Sequence, residues 1–80
     1  NPFNPSTTIS YSISKTGNVQ LKVYDVSRKE VSELVNRKQN SGEYKISFNA
    51  GSNNISSGIL FVSLTVDGVT TDSKKLVLIK

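Results

Sequence analysis

The stretch Gly58-Ile59-Leu60-Phe61-Val62-Ser63-Leu64-Thr65-Val66, followed by Asp67-Gly68 and then by Val69 to Lys80, decides the fold. The first segment is the most apolar part of the chain. Near-continuous hydrophobicity over so short a run predicts a central strand, wetted little on either face. Asp67-Gly68 is a strong hairpin-turn signal. Val69 to Lys80 then reads as the last strand, with Leu76-Val77-Leu78-Ile79 as its apolar tip.

Working outward, the same period-two alternation recurs between turn residues. Glu43 to Asn49 places Tyr44, Ile46 and Phe48 on one face. Ala50 to Ser57 is rich in Gly, Ser and Asn and reads as a loop anchored by Ile55. Glu30 to Asn36 carries Val31, Leu34 and Val35 and reads as a strand, although that spacing also fits one helical turn. Arg37 to Gly42 is polar, ends in glycine and reads as a loop. Thr8 to Ser14 alternates with Ile9, Tyr11 and Ile13 on one face, and Val19 to Tyr24 with Val19, Leu21 and Val23 inward. Between them Lys15-Thr16-Gly17-Asn18 reads as a tight turn, Gly17 or Asn18 taking positive φ, so the two runs are expected to pair as a hairpin.

Short strands with turns at this spacing predict an all-β chain: a small antiparallel β-sandwich, immunoglobulin-like, of six to seven strands. A small barrel is the alternative architecture. The expected domain plan is a linker over residues 1–6, stiffened by its Asn-Pro steps, and one sandwich over residues 7–80.

Composition narrows the function. The chain has 80 residues and contains no cysteine, histidine, tryptophan or methionine. Disulfides, thiol nucleophiles, histidine bases and the usual zinc and haem ligands are therefore excluded. The carboxylate pairs Asp67/Asp72 and Glu30/Glu33 lack a nucleophile, an oxyanion donor or an apolar pocket beside them, and read as turn and surface groups. Serine is abundant but has no histidine base, and Ser73 and Lys74, being consecutive in a strand, point to opposite faces. No phosphate-binding glycine pattern occurs. Asn49, Ser52, Asn53 and Asn54 lack the carboxylate a calcium site needs. No catalytic residue, cofactor or metal is expected, and the chain does not read as an enzyme.

The net charge is +4, but the basic residues are spread singly, with only Arg28-Lys29, Arg37-Lys38 and Lys74-Lys75 adjacent. No aromatic platform interleaves with them, which argues for a solvated face rather than a nucleic-acid surface. Sugar binding needs exposed rings. Tyr11, Tyr44, Phe48 and Phe61 are expected in the core, leaving Tyr24 as the one free ring.

The opening string Asn1-Pro2-Phe3-Asn4-Pro5-Ser6-Thr7-Thr8-Ile9 goes further, together with Gly17-Asn18-Val19-Gln20-Leu21-Lys22-Val23-Tyr24-Asp25-Val26, Gly42-Glu43-Tyr44, Ser56-Ser57-Gly58-Ile59 and Lys74-Lys75-Leu76-Val77-Leu78-Ile79-Lys80. On these residues, essentially the whole chain resembles the type A C-terminal sorting domain of proteins exported by the type IX secretion system of Bacteroidetes and related bacteria. The middle of the chain is also similar to an immunoglobulin-like domain of a flagellar hook-capping protein. The resemblance departs at Arg28, where the family usually has glycine, and at Leu60, where an aromatic is common.

The resemblance implies a non-catalytic domain that directs a cargo, on its N-terminal side in the same chain, across the outer membrane to the cell surface or medium. The implied partners are the outer-membrane translocon and a cell-surface sortase. Recognition is expected at Pro2, Phe3, Asn4 and Pro5, at Ser57, Gly58 and Ile59, and at Lys74, Lys75, Leu76, Leu78 and Lys80. A terminal edge strand offers unpaired backbone groups for β-augmentation, and its lysines would steer it onto an acidic surface. The same strand also offers a route to self-association. Lysines equally serve to block edge-to-edge aggregation. The competing reading is a passive or carbohydrate-binding immunoglobulin-like accessory domain of a secreted enzyme.

Overall fold

The computed structural model describes residues 6–49 and 58–78. The expectations for Pro2, Phe3, Asn4, Pro5, Ser57, Ile79 and Lys80, and for the loop anchored by Ile55, lie outside the described residues.

Six strands follow in chain order: β1 (Ser6–Ile13), β2 (Gly17–Tyr24), β3 (Glu30–Gln39), β4 (Gly42–Asn49), β5 (Gly58–Val66) and β6 (Val69–Leu78). They form two antiparallel sheets. The small sheet is β1-β4, and the large one has the order β3-β2-β5-β6. This is the expected two-layer β-sandwich, and among the described residues there is no helix.

Alternation dictates the core. Ile9, Tyr11 and Ile13 of β1 face Val19, Leu21 and Val23 of β2 and Leu60, Val62 and Leu64 of β5, with Phe48 and Val35 closing the sides. Val19, Leu21, Val23 and Phe48 are almost wholly removed from water. Each such side chain contributes about 1.5–3 kcal/mol of burial. The buried polar group is also satisfied: Tyr11 Oη donates to Gln39 Oε1 at 2.9 Å, while the Tyr11 ring stacks on Tyr44 with centroids 5.3 Å apart.

Four expectations are corrected here. β1 and β2 do not form a hairpin: β1 pairs with β4, Tyr11 opposite Tyr44, and β2 lies in the other sheet. Alternation specifies which face a strand buries, and a face-to-face partner satisfies it as well as a side-by-side one. Gly17 is needed for proximity rather than for φ. A Cβ there would meet Asp67 Oδ2 at 2.6 Å, the same carboxylate whose Oδ1 accepts the Asn18 N–H at 2.8 Å. The segment expected to be a loop from Arg37 is strand as far as Gln39, carried on by its pairing with Gly17. Finally, β5 is central but wet on one face. Ile59 and Phe61 are 38% and 40% exposed, because among the described residues no second layer covers the outer face of the large sheet, so Phe61 is not a core residue.

Two turns position the rest. Asp67 and Gly68 both take positive φ, 51° and 83°, as a type I′ hairpin turn requires. In the β2–β3 turn, Asp25 Oδ1 accepts the N–H groups of Ser27 and Lys29 and the Ser27 hydroxyl. That turn forces Arg28 to φ 69°, a left-handed conformation costing a side-chain-bearing residue about 1–2 kcal/mol. Arg28→Gly removes this cost but adds glycine's own unfolded-state freedom, so a net gain of about 0.5–1 kcal/mol is expected in urea unfolding, with an unchanged m-value.

Candidate functional site

β6 is an edge strand: its one ladder partner among the described residues is β5. The register places Gly58 opposite Leu78, Ile59 opposite Val77, Leu60 opposite Leu76, Phe61 opposite Lys75, Val62 opposite Lys74 and Ser63 opposite Ser73. Side chains of opposite residues share a face. Lys74 and Leu76 therefore sit on the inner side with buried Leu60 and Val62, whereas Ser73, Lys75 and Val77 share the outer face with Ile59 and Phe61.

The two lysines expected to act together are thus divided between faces. Lys74 reaches across the sandwich's open side and donates from Nζ to the Ser10 carbonyl of β1 at 3.0 Å. It spans a groove of about 530 Å³ between β1 and β6, lined in part by Ser10, Tyr11, Ser12, Asp72 and Lys74. Lys75 is exposed on the outer face. Leu76 is half-buried and packs against the core, so it holds β6 in place. Val77 is 60% exposed. Gly58 has φ 152° with open space where a Cβ would be, so glycine there answers a backbone need.

Sequence reasoning missed three features. Asp72 turns its carboxylate along the edge, and Oδ1 accepts the Ser73 N–H at 2.9 Å. A register shift between Leu64 and Thr65 sets Leu64 opposite Asp72 and leaves Thr71 outside the Cα pairing, its hydroxyl donating to the Leu64 carbonyl at 3.4 Å. On the outer face Tyr24 lies opposite Phe61, and both line a shallow groove of about 470 Å³ that ends at Val26 and Arg28. Counting in twos from Ser73 would have split the lysines and exposed Phe61. The register shift carries no sequence signal.

Beside this face, Lys22 contacts Glu30 at 3.4 Å and Glu33 at 3.8 Å. The Glu30 carboxylate foremost holds the Lys22 ammonium above its ordinary value. As surface pairs they contribute little. Among the described residues no group of His, Cys, Asp or Glu could hold a metal ion.

The sequence model of the secretion system C-terminal sorting domain matches residues 1–80. The chain belongs to that family. It is a C-terminal sorting signal for type IX secretion, and it marks its protein for export across the outer membrane to the cell surface or medium. Such a domain works with the type IX machinery and with the cargo it is joined to, and sorting-signal families are generally non-catalytic. The reading as a passive or carbohydrate-binding accessory domain is not favoured. No curated protein and no solved structure matches the chain.

The Asp25 turn beside the outer face gives a pH signature. Hydrogen bonds from the Ser27 hydroxyl, then from the Lys29 N–H, hold the Asp25 carboxyl below its ordinary value. A depressed folded value contributes stability that is complete above the unfolded carboxyl value, about 4, and is lost as pH falls through the folded one. Thermal melting should show the parent losing Tm on acidification below about pH 4, with a shallower acid limb in Asp25→Asn.

Proposed function

We propose that this sorting domain is read through β6, by main-chain pairing with the outer-membrane translocon, and performs no chemistry of its own. A cell-surface sortase would then act on the exported protein. The observation that carries the reading is the position of β6 at the edge of the large sheet, with one neighbour in β5 and its other edge free of a ladder partner among the described residues. An edge strand presents a row of N–H and C=O groups that a receptor strand can pair with, and exposed lysines steer such an encounter onto an acidic surface.

Within this reading the expected recognition residues take different parts. Lys75 is the steering charge. Leu76 and Gly58 hold the strand in place, and Lys74 braces it against β1. Ile59 supplies exposed apolar surface beside the docking edge. Pro2, Phe3, Asn4 and Pro5, with Ser57 and Lys80, are further proposed contacts. The expected linker over residues 1–6, whose last residue Ser6 already pairs with Asn49 as the start of β1, is taken to join the domain to its cargo.

Fusing residues 1–80 to a neutral cargo in a bacterium that carries the type IX machinery tests this. The fusion is expected in the medium or on the surface, and the same fusion lacking residues 74–80 is expected to stay in the periplasm. Undiminished export of the truncated fusion would show that β6 is not the element being read.

A further inference from the structure

The free edge of β6 is not uniform. In an antiparallel ladder alternate residues point their N–H and C=O groups toward the neighbouring strand, and the others point them away. Ser73 donates its N–H to the Asp72 carboxylate, which places Ser73 in the outward set. The register is unbroken from Ser73 to Leu78, so Lys75 and Val77 belong to that set, while Lys74 and Leu76 bond to β5.

We infer that a partner strand pairs with β6 only along its second half, Lys74 to Leu78, and that it brings a carboxylate to Lys75 and apolar side chains to Val77 and Ile59. This rests on the reading of β6 as the docking edge and narrows it to one register and one partner chemistry. The first half is closed. Asp72 occupies the Ser73 donor, and the irregularity at Thr71 re-aims the strand just before it; bulges and inward-turned carboxylates are devices that stop strand addition. The second half is open: among the described residues no hydrogen bond outside the strand ladders reaches the N–H of Lys75 or Val77.

The chemistry of the partner follows from the neighbouring surface. An added strand lays its outward side chains beside Lys75 and Val77, next to Phe61 and Ile59. These three apolar residues are 60%, 40% and 38% exposed for Val77, Phe61 and Ile59, and they adjoin the Lys75 ammonium. Cross-strand pairs of opposite charge and of apolar groups both stabilise such an addition. A second copy of the chain is a poor occupant, because it would bring another net charge of +4 and a second set of lysines onto the same sheet. The fitting occupant is an extended acidic–apolar segment of the secretion machinery.

Proline scanning of the export fusion, with thermal melting of the purified 80-residue chain as the folding control, tests the inference. Ser73→Pro, Lys75→Pro and Val77→Pro each remove an N–H that points away from β5, which edge strands tolerate. Lys75→Pro and Val77→Pro should cut export about tenfold each, while Ser73→Pro exports like the parent. Lys75→Glu, a surface change that leaves the backbone intact, should cut export similarly, and Lys75→Arg should preserve it. Loss of export in folded Ser73→Pro equal to that in Lys75→Pro would overturn the half-edge assignment while leaving β6 as the docking strand. Parent-level export of Lys75→Glu would overturn the acidic partner. Export that survives removal of residues 74–80 would instead sink the underlying reading. Sedimentation of the purified chain should show a monomer; a dimer abolished by Val77→Pro would reassign the open half to a second copy.

Discussion

The contact between Asp67 and Asn18 fixes the arrangement on which the rest depends. Asp67 takes the Asn18 N–H on its carboxylate and gives its own N–H to the Asn18 carbonyl, both at 2.8 Å. The close approach is open because residue 17 is glycine. This reciprocal pair ties the β5–β6 turn to the start of β2 and sets Val19 opposite Val66. A slip of one residue there would turn every side chain of β5 to the other face. With the register held, Leu60, Val62 and Leu64 enter the core, Phe61 and Ile59 face water, and the parity of β6 follows from that of β5.

From that register follows the division of labour in β6. Inward residues give stability: Leu76 packs on the core, and Lys74 spans the open side to the Ser10 carbonyl. Outward residues are free of that duty. The strand is thus anchored through one set of side chains and backbone groups and presents the other set. If β6 is the strand that is read, as proposed, this separation keeps recognition from being coupled to unfolding, since no residue would both pack and dock.

Much of this was legible in the sequence, for a physical reason. Strand alternation shows directly which face is buried, so the inward rows Val19-Leu21-Val23 and Ile9-Tyr11-Ile13, the Asp67-Gly68 turn and the two-layer architecture could be read from residue order. Partner choice could not. The apolar faces of β1 and β2 are satisfied whether they lie side by side or across the core, and the structure takes the second arrangement. The apolar run at β5 misled for a related reason. Hydrophobicity at Ile59 and Phe61 looks like burial, but among the described residues no second layer covers that face, and the two residues form exposed surface on the strand next to β6. Arg28 was flagged only by its departure from the family's glycine, and the structure supplies the meaning: a left-handed residue within a turn organised by Asp25. The Asp72 cap depends on a register shift that no residue pattern announces.

The central claim is that β6 is folded yet open along its second half. Residue-resolved amide hydrogen exchange on the native chain measures this directly, because protection reports whether each N–H is committed to a ladder. The account predicts alternation: slow exchange at Lys74 and Leu76, which bond to β5, and fast exchange at Lys75 and Val77. Equal protection at all four amides would mean that the edge is already occupied and would contradict the account.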